Sequence, residues 1–170
     1  TAALAGAHVV ARVQPPTAGE IARIAEGALL ISLMRPGQTG DVVQALSQRR
    51  ITSLALELVP RITRAQSMDV LSSQSTVSGY KGVLIGASAL PKFLPMLTTA
   101  AGNISPAKVF VIGAGVAGLQ AIATARRLGG VVSGFDVRPA AREQVLSLGA
   151  TFVANDLVSD TAQTTGGYAR

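Results

Sequence analysis

Residues 107 to 138, AKVFVIGAGVAGLQAIATARRLGGVVSGFDVR, constrain this chain more than any other stretch of it. Val109 to Ile112 is a β-branched and aromatic run of the kind that forms a buried strand. Gly113, Gly115 and Gly118 follow at G-x-G-x-x-G spacing, and Leu119, Ile122, Ala123 and Leu128 then recur at helical intervals. Gly129-Gly130 stops the helix, a second apolar strand runs from Val131 to Phe135, and Asp136 ends it. In that order the glycines allow a tight turn, a close approach to the backbone and a helix lying near its sheet. The helix N-terminus offers unpaired N–H groups to a phosphate. An acid at the end of the second strand can accept hydrogen bonds from both hydroxyls of an adenosine ribose. A lone glycine turn often does no more than pack a helix on a sheet. Strand, turn, helix, second strand and acid in register point instead to a dinucleotide site.

Composition agrees with an α/β interior built without large aromatics. The 170 residues are 48% hydrophobic, 14% charged and only 4% aromatic, so Ala, Val, Leu, Ile and Gly must fill the core. There is no cysteine, hence no disulfide framework or thiolate metal site, and the single histidine, His8, has no partner at metal-ligand spacing. No metal site is expected. The net charge of +6 comes from dispersed basic residues, with only Arg49-Arg50 and Arg126-Arg127 adjacent. With so few aromatics to stack bases, a solvated basic surface is a better reading than nucleic-acid binding. Val109 to Ala125 carries no charge over nearly the length of a membrane span, yet its glycines and strand-like start favour strand, turn and helix.

Strands and helices alternate ahead of the fingerprint. Val9 to Val13 predicts a strand, Thr17 with Glu20 a capping box opening a helix to about Gly27, and Ala28 to Leu33 a buried strand. Asp41 predicts a helix cap, with Val42, Val43 and Leu46 facing inward, and Ile51 to Leu58 a further strand. This order implies parallel βαβ units. The polar run from Pro60 to Gln74 follows the carboxyl end of a parallel strand, where ligands sit in open α/β sheets. Its spacing leaves two readings open, a binding loop and a helix entry capped by Ser67 or Asp69. From about Ser72 to Leu90 the pattern is helical, and with the apolar residues up to Leu97 it predicts a helical connection between two domains. Beyond Asp136, Pro139 opens a helix to about Leu148, Thr151 to Val153 is a third strand, and 155–170 reads as loop.

The fold class expected is α/β, with two doubly wound parallel-sheet lobes joined by helices. The boundaries are a first lobe over 1–73, a helical connection over 74–105 and the first half of a nucleotide-binding lobe over 106–170. Only three strands fit after Ala107 where such a lobe needs about six, so both lobes are expected to be truncated, the chain being a piece of something longer.

Several runs closely resemble the alpha subunits of the proton-translocating NAD(P)+ transhydrogenases, in the middle of their NAD(H)-binding domain. They are Arg61 to Gln74 (RITRAQSMDVLSSQ), Gly79-Tyr80-Lys81, Pro95 to Gly102, Gly113 to Ala125 and Phe135 to Val145. The RAQSMD run is far more specific than the glycine motif and decides the 60–74 segment in favour of binding. Alanine dehydrogenases are similar in fold, without this run being expected in them. The resemblance implies NAD(H) held in a cleft between two lobes, with Arg61, Gln66, Asp69 and Ser72 around the nicotinamide and its ribose. It implies Gly113, Ala114, Gly115, Val116 and Gly118 at the pyrophosphate, and Asp136, Val137 and Arg138 at the adenosine end. Direct hydride transfer needs placement of donor and acceptor rather than an acid or base, so no residue is given a catalytic role. NADP(H) would sit on a partner domain, and a membrane domain would couple transfer to proton movement. The resemblance further implies a homodimer, peripheral at the cytoplasmic face of a bacterial inner membrane. Two other classes compete, an alanine-dehydrogenase-like amino-acid oxidoreductase and a nucleotide-binding fragment without turnover.

Overall fold

The computed structural model describes residues 2–153 and 155–162, which divide into two compact units meeting between Leu71 and Ser72. Each is α/β, built on a three-stranded parallel sheet.

The first unit runs β1 (Val9–Ala11), α1 (Ala18–Ile21), β2 (Leu29–Ser32), α2 (Gly40–Gln48) and β3 (Thr52–Ala55), in sheet order β1-β2-β3. The capping box at α1 forms as its sequence predicts. Thr17 accepts from the Glu20 backbone N–H, while the Glu20 carboxylate accepts from the Thr17 backbone. These backbone and side-chain bonds, with the Arg12 guanidinium 2.9 Å away, hold Glu20 down to a pKa of about 2. The helix is shorter than expected, ending at Ile21 rather than near Gly27, because Ile21 and Ile24 bury in a single turn and the chain then bends toward β2. Val10, Ile21, Ile24, Leu30, Met34, Leu46 and Ile51 form the core on one face of the sheet. Val43 was expected inward but is 42% exposed, since the inward stripe of α2 is centred on Leu46. The strand expected to reach Leu58 stops at Ala55 and tightens into a 3₁₀ turn over Leu56–Leu58.

The second unit follows α3 (Val70–Ala89) with β4 (Leu97–Thr99), β5 (Gly102–Ile104), β6 (Lys108–Ile112), α4 (Val116–Arg127), β7 (Val131–Phe135), α5 (Pro139–Ser147) and β8 (Thr151–Phe152). Its parallel sheet has the order β6-β7-β8. The connection predicted as helical over 74–105 is helical only to Ala89, and β4 and β5 pair antiparallel as a hairpin. Pro91 and Pro95 forbid a continued helix, and Thr99 closes the hairpin by donating to the Gly102 carbonyl (3.0 Å) and accepting from Ala101 N–H (3.2 Å). α4 and α5 cover one face of the sheet through Ile122, Ala125, Ala141 and Val145. On β6, Phe110 and Ile112 point the other way and are 54% and 76% exposed. The stretch from Val109 to Ala125 is thus strand, turn and helix, and no helix among the described residues is long and apolar enough to cross a membrane. In the tail, 3₁₀ turns form over Asn155–Leu157 and Asp160–Ala162, and residues 163–170 of the expected loop lie outside the described residues.

α2, α4 and α5 stop in the same way. After α4, Gly129 N–H reaches the Arg126 carbonyl and Gly130 N–H the Ala125 carbonyl; after α5, Gly149 and Ala150 repeat the pair onto Leu146 and Val145. This is the six-to-one, five-to-two bonding that needs a left-handed residue, and Gly129 and Gly149 supply it at φ +88° and +75°. After α2 the same bonds are made by Arg50 and Ile51, and Arg50 must take φ +55° without glycine's freedom.

Candidate nucleotide site

The glycine turn joins β6 to α4 as its spacing predicts. Gly113 turns the chain at φ +90°, its N–H bonding to the Phe135 carbonyl at 2.8 Å, so the turn is tied to the end of β7. Gly118 lies so close beneath it that an added Cβ would stand 1.7 Å from the Gly113 carbonyl oxygen. Gly79 of α3 packs equally hard on α4, where a Cβ would come within 2.1 Å of the Ala117 carbonyl oxygen. Gly115 differs from both. No atom lies within 4 Å of the position its Cβ would take, and no side chain caps the helix it precedes. The first N–H groups of α4 therefore end at an open cradle, the arrangement that receives a phosphate. A cavity of about 900 Å³ reaches this cradle, lined by Gly79, Gly82, Ile112, Gly113, Gly115 and Val116 among others.

Asp136 follows β7 and is 6% exposed. One carboxylate oxygen, Oδ2, accepts from the Ala114 backbone N–H at 2.7 Å and from Arg138 Nη2 at 2.9 Å. The other, Oδ1, accepts from the Arg138 backbone N–H and from Arg138 Nε, both at 2.9 Å. The same Nη2 also donates to the Ala114 carbonyl at 3.2 Å. Burial raises the Asp136 pKa, but the Arg138 guanidinium and the two backbone donors outweigh it and hold the carboxyl below its ordinary value. Asp136 in turn raises the pKa of Arg138. Arg138 adopts the extended backbone that a residue before proline prefers, and Pro139 opens α5. Val137, half-buried between them, accepts from the Ser159 backbone N–H at 3.0 Å.

The Arg61–Ser72 segment leaves the first unit as a 3₁₀ turn over Thr63–Met68, with Ala65 buried as its anchor. Arg61 and Gln66 are exposed, Asp69 is half-buried immediately before α3, and Ser72 is half-buried in the first turn of that helix. The backbone thus contains both the turn and the helix entry that its sequence left open. Nearby in the same unit a cavity of about 630 Å³ is lined by Met34, Leu54, Leu58, Met68 and Val70 among others. Gly113, Ala114, Gly115, Val116, Gly118, Asp136, Val137 and Arg138 come together in the second unit. Arg61, Gln66 and Asp69 belong to the first, and Ser72 begins the second.

One residue of consequence was not singled out by sequence. Glu57, just after β3, accepts the backbone N–H of Met34 at 2.8 Å and that of Arg35 through the same oxygen, Oε1. Thr39 secures the same turn by donating to the Met34 and Arg35 carbonyls at 2.6 and 3.1 Å. The other carboxylate oxygen of Glu57 is buried and has no hydrogen-bond partner among the described residues. The only signal in the sequence was an acid flanked by Leu56 and Leu58 at a strand end.

Comparison with known proteins converges on one family. Residues 1–78 match the family model described as the alanine dehydrogenase/PNT N-terminal domain, and residues 82–165 match the C-terminal domain. The chain is 52% identical over 174 aligned positions to the NAD(P) transhydrogenase alpha subunit of Rhodospirillum rubrum, covering 99% of this chain and 45% of that protein. A solved structure of transhydrogenase from Sinorhizobium meliloti superposes with a TM-score of 0.87 at 53% identity, over 94% of this chain and 48% of that one. Alanine dehydrogenase 2 of Staphylococcus aureus is 31% identical over 140 positions, 81% of this chain and 37% of the relative. The chain therefore spans less than half the length of these relatives. On both family models and on this identity, the chain belongs to the alanine dehydrogenase/PNT family, as a relative of the transhydrogenase alpha subunits.

Proposed function

We propose that this chain binds NAD(H) as part of a transhydrogenase and presents it for hydride transfer to NADP+ on a separate domain. The observation that carries this reading is the empty space at Gly115, where a Cβ would meet nothing, directly at the uncapped N-terminus of α4 and on the turn that Asp136 holds. Gly113 to Gly118 would hold the pyrophosphate, and Asp136, Val137 and Arg138 the adenosine end. Arg61, Gln66, Asp69 and Ser72 would fix the carboxamide and ribose of the nicotinamide, since together they offer donors and acceptors that select one ring face. The bound nucleotide supplies the hydride chemistry, and the protein supplies placement. An NADP(H)-binding domain and a proton-conducting membrane domain complete the assembly, with the chain peripheral on the cytoplasmic side and paired with a second copy. Greater identity to the transhydrogenase relative, 52% against 31% for the alanine dehydrogenase, supports this over an amino-acid oxidoreductase.

The acid also argues for NAD(H) over NADP(H). Two unit charges about 4 Å apart repel by ~1 kcal/mol in water and ~4 kcal/mol at an effective dielectric of about 20. A 2′-phosphate carries nearly two charges, so at least about tenfold discrimination is expected, at 1.4 kcal/mol per decade. The experiment is titration of NADH and NADPH by nucleotide fluorescence against wild type and Asp136→Ala at one salt concentration. Preferential NADH binding by wild type, with the preference narrowed in the variant, is the expected result. Equal affinities in wild type would refute the reading. NADH formation from alanine and NAD+ would favour the amino-acid oxidoreductase.

A further inference from the structure

The acceptor capacity of Asp136 is already full. An ionised carboxylate has about four lone-pair sites. Ala114 N–H and Arg138 Nη2 occupy those of Oδ2, at 2.7 and 2.9 Å, and the Arg138 backbone N–H and Nε occupy those of Oδ1, both at 2.9 Å. Two of the four donors are backbone and fixed by the turn and by the start of α5. The other two belong to one guanidinium, which also bridges to the Ala114 carbonyl at 3.2 Å and whose side chain is only 14% exposed. A ribose presenting two hydroxyls to this carboxylate finds no vacant site until that guanidinium leaves. We propose that Arg138 is a latch over the adenosine end of the site, a positioning residue that the nucleotide must displace. This rests on the reading of the glycine turn as an NAD(H) site.

The exchange is balanced. The two side-chain bonds from Arg138 are replaced by two O–H···O bonds from the ribose, while Ala114 N–H and Arg138 N–H keep the carboxylate in place. The displaced guanidinium, carried on an unbranched side chain, moves out from the Ala114 carbonyl toward water. Before binding, the latch keeps a buried carboxylate satisfied that would otherwise be costly to leave bare. Nucleotide affinity is lowered by whatever the latch is worth, and a site without the guanidinium binds more tightly. A residue needed simply to shape the site would have the opposite effect when removed.

The test compares NADH with reduced nicotinamide mononucleotide, which lacks the adenosine half, on wild type, Arg138→Gln and Arg138→Lys, with circular dichroism melts to establish folding. Arg138→Gln is expected to bind NADH about three- to tenfold more tightly than wild type, the gain from removing competing charge-assisted bonds, and the mononucleotide unchanged. Arg138→Lys keeps the charge but cannot bridge both carboxylate oxygens, so it falls between the two, and it carries the test if the glutamine variant does not fold. A folded variant that binds NADH more weakly than wild type, or one that changes both ligands equally, overturns the latch. If wild type binds neither ligand, it is the NAD(H) reading that fails, and the latch falls with it.

Discussion

Two glycines three residues apart in one turn should answer the same substitution in opposite ways. In Gly118→Ala the new methyl would stand 1.7 Å from the Gly113 carbonyl oxygen and 2.8 Å from its carbon, both backbone atoms that cannot rotate away. Relief requires the turn or α4 to move by more than an ångström, and overpacking that costs ~1–3 kcal/mol when side chains can adjust should cost about 3 kcal/mol or more here. For a chain of this size that lowers the melting temperature by about 10 °C, at ~2–4 °C per kcal/mol. In Gly115→Ala the methyl meets no atom within 4 Å, and the backbone at φ −77°, ψ −167° is extended, which alanine adopts freely. A smaller entropy in the unfolded chain offsets alanine's poorer N-capping, leaving stability within about 1 kcal/mol of wild type. Yet the methyl fills the cradle proposed for the pyrophosphate, so NADH affinity should fall at least about tenfold, 1.4 kcal/mol. The assay is thermal unfolding followed by circular dichroism, paired with NADH titration calorimetry. Equal NADH binding by a folded Gly115→Ala would show that the turn is structural only, and a Gly118→Ala as stable as wild type would refute the packing argument.

Three further outcomes follow from the geometry. The Asp136 pKa is held below its unfolded value of about 3.9, so its contribution is complete above about pH 4 and lost as pH falls through the folded pKa. Asp136→Asn should therefore cost about 3 kcal/mol in urea unfolding at pH 7, and the gap to wild type should close as pH is lowered below 4; a gap constant from pH 7 to 3 would refute it. Glu57→Ala strands the Met34 and Arg35 N–H groups and should cost about 2–3 kcal/mol, whereas Glu57→Gln keeps an acceptor and gives the buried, unpartnered position a new group, staying within about 1 kcal/mol; equal losses in denaturant titration would contradict this. Arg50→Gly should stabilise by about 0.5–1 kcal/mol, because Arg50 is the left-handed terminator of α2 where the other two helices use glycine, and a lower melting temperature would refute it.

What the sequence made legible was local. β7 was expected from Val131 to Phe135 and lies there, and the turn, α4 and the stop at Gly129 follow from spacings within a few residues. The hairpin of β4 and β5 escaped because Phe93, Leu94 and Leu97 have helical spacing, whereas strands of three residues leave almost no alternation to read. Val43 was misplaced because two adjacent valines cannot both face a core in a helix, and only packing of α2 around Leu46 decides between them. For the site, the fingerprint identified Asp136 as an acid beside the turn. Whether its oxygens were open or filled depended on the folding back of Arg138, which no spacing rule encodes.

The two acids then explain each other. In a parallel sheet, the turn leaving one strand exposes backbone N–H groups that no neighbouring strand can pair, because the chain is departing toward its helix. In the first unit the turn after β2 has its Met34 and Arg35 N–H groups taken by Glu57, which follows the adjacent strand β3. In the second unit the turn after β6 has its Ala114 N–H taken by Asp136, which follows the adjacent strand β7. The device is the same, an acid after one strand clasping the turn of its neighbour, and so an acid at this position has structural work before any ligand is considered. The units differ in what remains. Glu57 keeps one buried oxygen without a partner among the described residues, while Asp136 has both oxygens engaged, half of that engagement through a side chain that can leave. A carboxylate that is clamped by backbone on one side and latched by a guanidinium on the other can hold its turn and still be offered to a ribose. That combination, more than the presence of an acid, separates Asp136 from Glu57 as a ligand-binding group.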